Sequence, residues 1–203
     1  MKVKSLIIGA AVIFCMAASA EVILSDNQIK PKDAGTPVLS KKAPQKKTGA
    51  TYKWTIVSDK QMVKTDASGT PDMIDGVALH GNADANSTFT HGKCSAEVVF
   101  DLKNEYPISR VEVFTRKQTD HKYFNISKVK VYTSNDGKNF EYAGAVSGKE
   151  AVLVKKIAKS QLWKYELKLE NIKARYVKIR ADKKAKDGLQ MVLCEMVVYG
   201  NAQ

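Results

Sequence analysis

The sequence predicts an all-β fold, an antiparallel β-sandwich. Three observations lead there. From Thr51 onward the apolar residues recur with a period of two. Turn signals rich in Asn, Asp, Gly and Ser separate the alternating runs. No amphipathic helix of useful length interrupts them.

The chain has 203 residues. Its first twenty, Met1 to Ala20, stand apart from the fold. Lys2 and Lys4 make a basic start, Leu6 to Ala17 is an apolar run, and Ala18-Ser19-Ala20 is an A-x-A cleavage site. That is the pattern of a secretory signal peptide, so the protein is expected in the secreted, periplasmic or cell-envelope space. The apolar run is short for a membrane span, and no transmembrane segment is expected after cleavage. Phe14 occupies a place where a lipoprotein signal before Cys15 would carry a small residue.

Residues 21–50 read as a basic, flexible linker. Pro31, Pro37, Pro44, Gly35 and Gly49 punctuate them, lysines come in pairs at Lys41-Lys42 and Lys46-Lys47, and no apolar period persists. They are expected to be dispensable for folding. Residues 51–203 are read as the folded domain. Val98, Phe100 and Leu102 share one face of a first strong strand, and Val111 and Val113 mark the next. Lys128–Tyr132, Tyr165–Leu169 and Arg175–Arg180 alternate in the same way, and Met191–Tyr199 is apolar and β-rich. Turns are expected at Asn104–Pro107, Asn135-Asp136-Gly137, Ser147-Gly148 and Asp187-Gly188. A sandwich collects its loops at two ends, and function is expected on those loops.

The formal net charge is +12, from 33 basic and 21 acidic residues. Removal of Lys2 and Lys4 with the signal leaves 31 − 21 = +10. Such a balance favours polyanions, of which acidic glycans suit an exported protein. No nucleic-acid motif accompanies it, and nucleic acid is not expected as a partner. Nucleophile-elbow, phosphate-loop and dinucleotide fingerprints are absent from the sequence, so no enzyme is expected. The three histidines, His80, His91 and His121, lie eleven and thirty residues apart, which is no zinc spacing. Cys94 and Cys194 remain after cleavage and read either as one disulfide or as two buried thiols; the bridge is the expectation for an exported chain. Asn86-Ser87-Thr88 and Asn125-Ile126-Ser127 match the N-glycosylation pattern, which matters only in a eukaryotic host.

Six segments in order carry a resemblance. They are Ile74-Asp75-Gly76, Val98–Leu102, Ile108–Val113, Val129–Gly137, Ala174–Ile179 and Cys194–Gly200. Together they resemble the discoidin, or coagulation factor five/eight type C, domain. The stretch Val77–Phe89 is longer than the family's and lacks its Trp; Phe89 stands in that place. The resemblance implies a galactose-binding-domain-like jelly roll and a non-catalytic binding module, most often for carbohydrate. It also implies a structural Ca²⁺ held by Asp75 and Glu195, with Asp72 as an added ligand, and Ca²⁺ suits such oxygen donors. It places a ligand loop at Arg116, Lys117, His121, Tyr123 and Phe124, with His80, Asn82 and His91 from the earlier loop at the same end. The chemistry agrees, because a sugar needs planar hydrogen-bonding groups around its rim and an aromatic face for its C–H side. The expected partner is a glycan or cell-surface polysaccharide, including acidic ones. A protein- or surface-binding sandwich without a sugar site is the alternative, and a small exported hydrolase a third reading.

Overall fold

A computed structural model of the chain describes residues 20–25, 36–37, 50–58, 63–64, 77–79, 88–91, 94–118, 126–157, 160–183 and 190–201. All regular structure among them is strand: β1 (Glu21–Ile23), β2 (Thr36–Pro37), β3 (Thr51–Ser58), β4 (Val63–Lys64), β5 (Val77–Leu79), β6 (Thr88–His91), β7 (Cys94–Gln118), β8 (Ile126–Ser134), β9 (Glu141–Ser147), β10 (Val152–Ile157), β11 (Ser160–Lys183) and β12 (Gln190–Asn201). Every pairing is antiparallel.

Two very long strands organise the molecule. The first part of β7 lies between β3 and the last part of β11, which in turn pairs β8, and β8 pairs β9. The last part of β7 lies between β12 and the first part of β11, which also pairs β10. β6 and β1 cover the far edge of β12, and β4 pairs β6. Thus β7 and β11 pass from one layer into the other. Val98, Phe100, Val177, Ile179 and Val131 of the first layer form one buried cluster with Val111, Val113, Met196 and Val198 of the second. That shared cluster makes the ten-stranded sheet a sandwich, and β2 and β5 pair in a separate two-stranded sheet.

The corner corrects one expectation. The turn read at Asn104–Pro107 is not a break between strands; β7 runs through it. The same holds for β11, where the register shifts between Lys168 and Ile172 and again between Ala174 and Tyr176. Lys103 takes a left-handed φ of 70° at the bend. Its amide donates to Asp101 Oδ1 at 2.8 Å and its ammonium reaches Asp101 Oδ2 at 3.3 Å and Thr51 Oγ1 at 3.0 Å. Arg175, at the bend of β11, donates to both oxygens of the same carboxylate, at 2.9 and 3.0 Å. One aspartate therefore ties both corners together. The hydrogen bonds from Arg175, then those from Lys103, hold its carboxyl well below the usual range.

The turn at Asn135-Asp136-Gly137 is as expected. Asp136 Oδ1 accepts from the amides of Lys138 and Asn139, each at 2.8 Å, and Gly137 takes φ 71°. A β-carbon there would press the Tyr176 ring at 3.1 Å.

The linker reading of residues 21–50 is overturned at its start. Glu21–Ile23 pairs β12 from Asn201 to Tyr199, and the amide of Leu24 donates to the carbonyl of Val198 at 2.8 Å. Ser25 Oγ accepts from the amide of Val198 at 3.1 Å. Val22, Ile23 and Leu24 are 7%, 1% and 0% exposed, and Ala50 is buried as well. Three consecutive apolar residues are too few to register as a period, yet they close an otherwise open strand edge. Residues 26–35 and 38–49 lie outside the described residues.

Candidate functional site

The ladders fix which strand ends meet. Away from the corner lie the start of β7, the end of β3, the start of β8 and the end of β11 in one layer. In the other layer the same end holds Gln118 of β7 opposite Ser160 of β11, and His91 of β6 opposite Gln190 of β12. The strand ends that flank residues 119–125, 184–189 and 92–93 therefore gather at one end of the sandwich.

Arg116 sits at that end, but in a strand. It pairs Leu162, and Lys117 pairs Gln161, inside β7. The expected placement of both in a loop is corrected. Alternation continues past Thr115 because β11 offers a partner as far as Gln118. Arg116 is half-buried. His91 ends β6 at the same level as Gln190, and its side chain lies outside the described residues. So do His80, Asn82, His121, Tyr123 and Phe124 altogether.

Of the three expected calcium ligands, Asp72 and Asp75 also lie outside the described residues. Glu195 is 1% exposed, beside a bulge in β12 between Leu193 and Glu195. Ca²⁺ takes six to eight oxygens, and Glu195 is the one of the three expected ligands that is described. Among the described residues no cluster of three or more His, Cys, Asp or Glu forms. Cys194 is buried next to Glu195, and the side chain of Cys94 lies outside the described residues.

Sequence reading missed a charged network on the outer face of the second layer. Glu112 is 3% exposed and stands directly opposite Glu166, a repulsive placement by itself. Cations resolve it. Lys164 donates to Glu112 at 2.9 Å and to Glu166 at 2.6 Å. Arg110 donates to Glu112 and clamps Glu21 at 2.6 and 3.2 Å, while Ser109 adds 2.8 Å to Glu21. Tyr199 donates its hydroxyl to Glu112 at 2.9 Å and carries the Arg110 guanidinium 3.7 Å above its ring. Burial opposes ionisation of Glu21, but its bonds to Arg110 and Ser109 outweigh that and hold its carboxyl low. Burial first, then the Glu112 charge, pushes the Tyr199 hydroxyl far up. A shallow groove of about 440 Å³ is lined there by Glu21, Ser109, Arg110, Glu166, Lys168 and Leu169. Its Glu21, Arg110 and Glu166 are committed to ion pairs of the network, which clasps β1.

A model of the F5/8 type C domain matches residues 64–195. The chain belongs to the F5/8 type C domain family. The match spans β4 to the middle of β12 and so includes both layers and both corners of this F5/8 type C domain. No curated protein sequence matches it. Solved structures similar to it include a module, CBM32-3, from a family 31 glycoside hydrolase of Clostridium perfringens. That one has 15% identity and TM-score 0.44, covering 69% of this chain and 88% of the other. A CBM32-5 module of the same organism, in complex with GalNAc-β-1,3-galactose, has 16% identity and TM-score 0.42 over 68% and 93%. The C-terminal domain of a chitobiase from Bacteroides fragilis has 21% identity and TM-score 0.40 over 73% and 93%. Among the described residues no helix is long and apolar enough to cross a membrane.

Proposed function

We propose that this F5/8 type C domain is an exported, non-catalytic carbohydrate-binding module whose sugar site lies at the sandwich end remote from the corner. The observation that carries the reading is the family match over residues 64–195, which runs through both layers. Chemistry and placement support it. Arg116 in β7 offers a fixed planar donor set beside residues 119–125, where His121, Tyr123 and Phe124 supply a further donor and two aromatic faces. A pyranose needs that pairing of polar rim and apolar face. His80, Asn82 and His91 belong to the same proposed site.

The site binds and releases; it transforms nothing. A shallow sugar site buries little area, so affinity is modest. The Met1–Ala20 segment directs export, and Glu21 then begins both the mature chain and β1. Titration of purified protein against a panel of neutral oligosaccharides tests the reading. Binding that Arg116→Gln abolishes without lowering the melting temperature supports it; no binding to any member refutes it.

A further inference from the structure

The outer face of the first layer carries a second surface, at neither end of the sandwich. Register places Tyr142, Tyr132, Lys178, Val99 and Lys53 in one row across β9, β8, β11, β7 and β3. Their inward neighbours Val131, Val177, Ile179, Val98 and Phe100 are buried, so the row faces outward. Four interstrand steps make it about 19 Å long. Tyr142 is 62% exposed and meets Tyr132 edge to face, with ring centroids 5.6 Å apart. The Lys178 ammonium lies 4.8 Å from the Tyr132 ring and 4.5 Å from the Phe140 ring.

Charge on this face is one-sided in what it leaves available. The carboxylates of Glu97, Asp101 and Asp182 are each bound by a neighbouring cation. Among the described residues Lys53, Lys128 and Lys178 form no ion pair. Aromatic rings with ammonium groups beside them fit a ligand that has C–H faces and negative charges at its rim. A neutral glycan would leave the lysines unused, and a bare polyanion would leave the rings unused.

We propose that the Tyr142–Tyr132–Lys178–Lys53 row is a second binding face, for the chain of an acidic polysaccharide. Sugar rings stack on the exposed Tyr142 while Lys178, held over the Tyr132 ring, meets carboxylate or sulfate groups together with Lys53 and Lys128. The face does not rest on the loop-end sugar site and would let one domain hold a polymer along its flank.

Affinity gel electrophoresis of the mature protein tests it, with dextran sulfate, carboxymethyl-dextran or plain dextran in the gel. Retardation is expected in both charged polymers, with plain dextran having little effect. Tyr142→Ala and Lys178→Ala should each weaken it at least tenfold, and Lys149→Ala, which removes one charge from the exposed Ser147–Glu150 turn, should not. Circular dichroism checks that each variant is folded; Tyr142 is exposed enough that its loss leaves the core intact. Equal migration in charged and neutral gels would overturn the proposal. So would equal weakening by Lys149→Ala, or double-stranded DNA competing fully while Tyr142→Ala has no effect, since either outcome reduces the face to net charge. Neutral-oligosaccharide binding, lost in Arg116→Gln, is read separately, so the two sites fail independently.

Discussion

Replacing Leu24 by alanine should destabilise the domain severely, although it lies in a segment whose composition reads as linker. Leu24 is 0% exposed, in the core cluster with Val22, and its Cδ1 would meet a β-carbon built on Gly200 at 2.4 Å. A buried Leu→Ala change costs about 2–5 kcal/mol, the removed methyl groups plus the cavity they leave. In a domain of this size each kcal/mol shifts the melting temperature by roughly 2–4 °C. A central cost of about 3 kcal/mol thus predicts a fall of roughly 6–12 °C. Deleting residues 21–25 is a blunter test, because it also releases the entropy of ordering them, which offsets part of the loss. Differential scanning calorimetry of the mature protein is the assay. Leu153→Ala is the control, since Leu153 is 36% exposed on β10 and should change stability by less than about 0.5 kcal/mol. A Leu24→Ala melt as close to wild type as the control would refute the packing argument for β1.

Other expectations concern charge and close approach. Arg110→Ala leaves the buried Glu112 with fewer compensating partners and unclasps Glu21, so urea unfolding should show a loss of about 3–5 kcal/mol; a loss under about 1 kcal/mol would mean the network is replaceable. Asp101, Asp182 and Glu21 all have native pKa values below their unfolded ones. Such groups contribute stability that is fully present above the ordinary carboxylate range and declines as pH falls through about 4 toward the native values. The melting temperature should therefore drop between pH 6 and pH 3, and Asp101→Asn should lower it at pH 6 and shrink that drop; an unchanged drop would remove Asp101 from the account. Gly200→Ala would put a β-carbon 2.8 Å from the Pro107 carbonyl and against Leu24, so a destabilisation of about 1–3 kcal/mol is expected by thermal melt; no change would show that β1 shifts freely.

The layers were legible in the sequence because alternation survives in every central strand: Val98-Phe100-Leu102, Val111-Val113, Val129-Val131 and Val177-Ile179 all face inward. The continuity of β7 and β11 was not legible. Asn104 and Pro107 look like a turn, and only the pairing of Asp101 with both Lys103 and Arg175 makes the site a bend within one strand. β1 was hidden because three apolar residues carry no period. Arg110 and Glu112 alternate with the buried Val111 and Val113, yet register gathers them with Lys164 and Glu166 into a clasp whose Glu112 is buried. The Lys178 row was hidden for a similar reason: its members come from five strands, and only the ladders bring them together. Arg116, expected in a loop from the family resemblance, lies at the loop end of the sandwich but within β7, opposite Leu162.

The central claim is sugar binding at that end. Isothermal titration of the mature protein with the neutral oligosaccharides selected by a glycan array, in high salt to screen the basic surface, tests it most directly. The account predicts saturable, weak binding that Arg116→Gln reduces at least tenfold while the melting temperature stays within about 2 °C, the range of a surface change. Binding unaffected by Arg116→Gln, or no glycan bound at all, would contradict it.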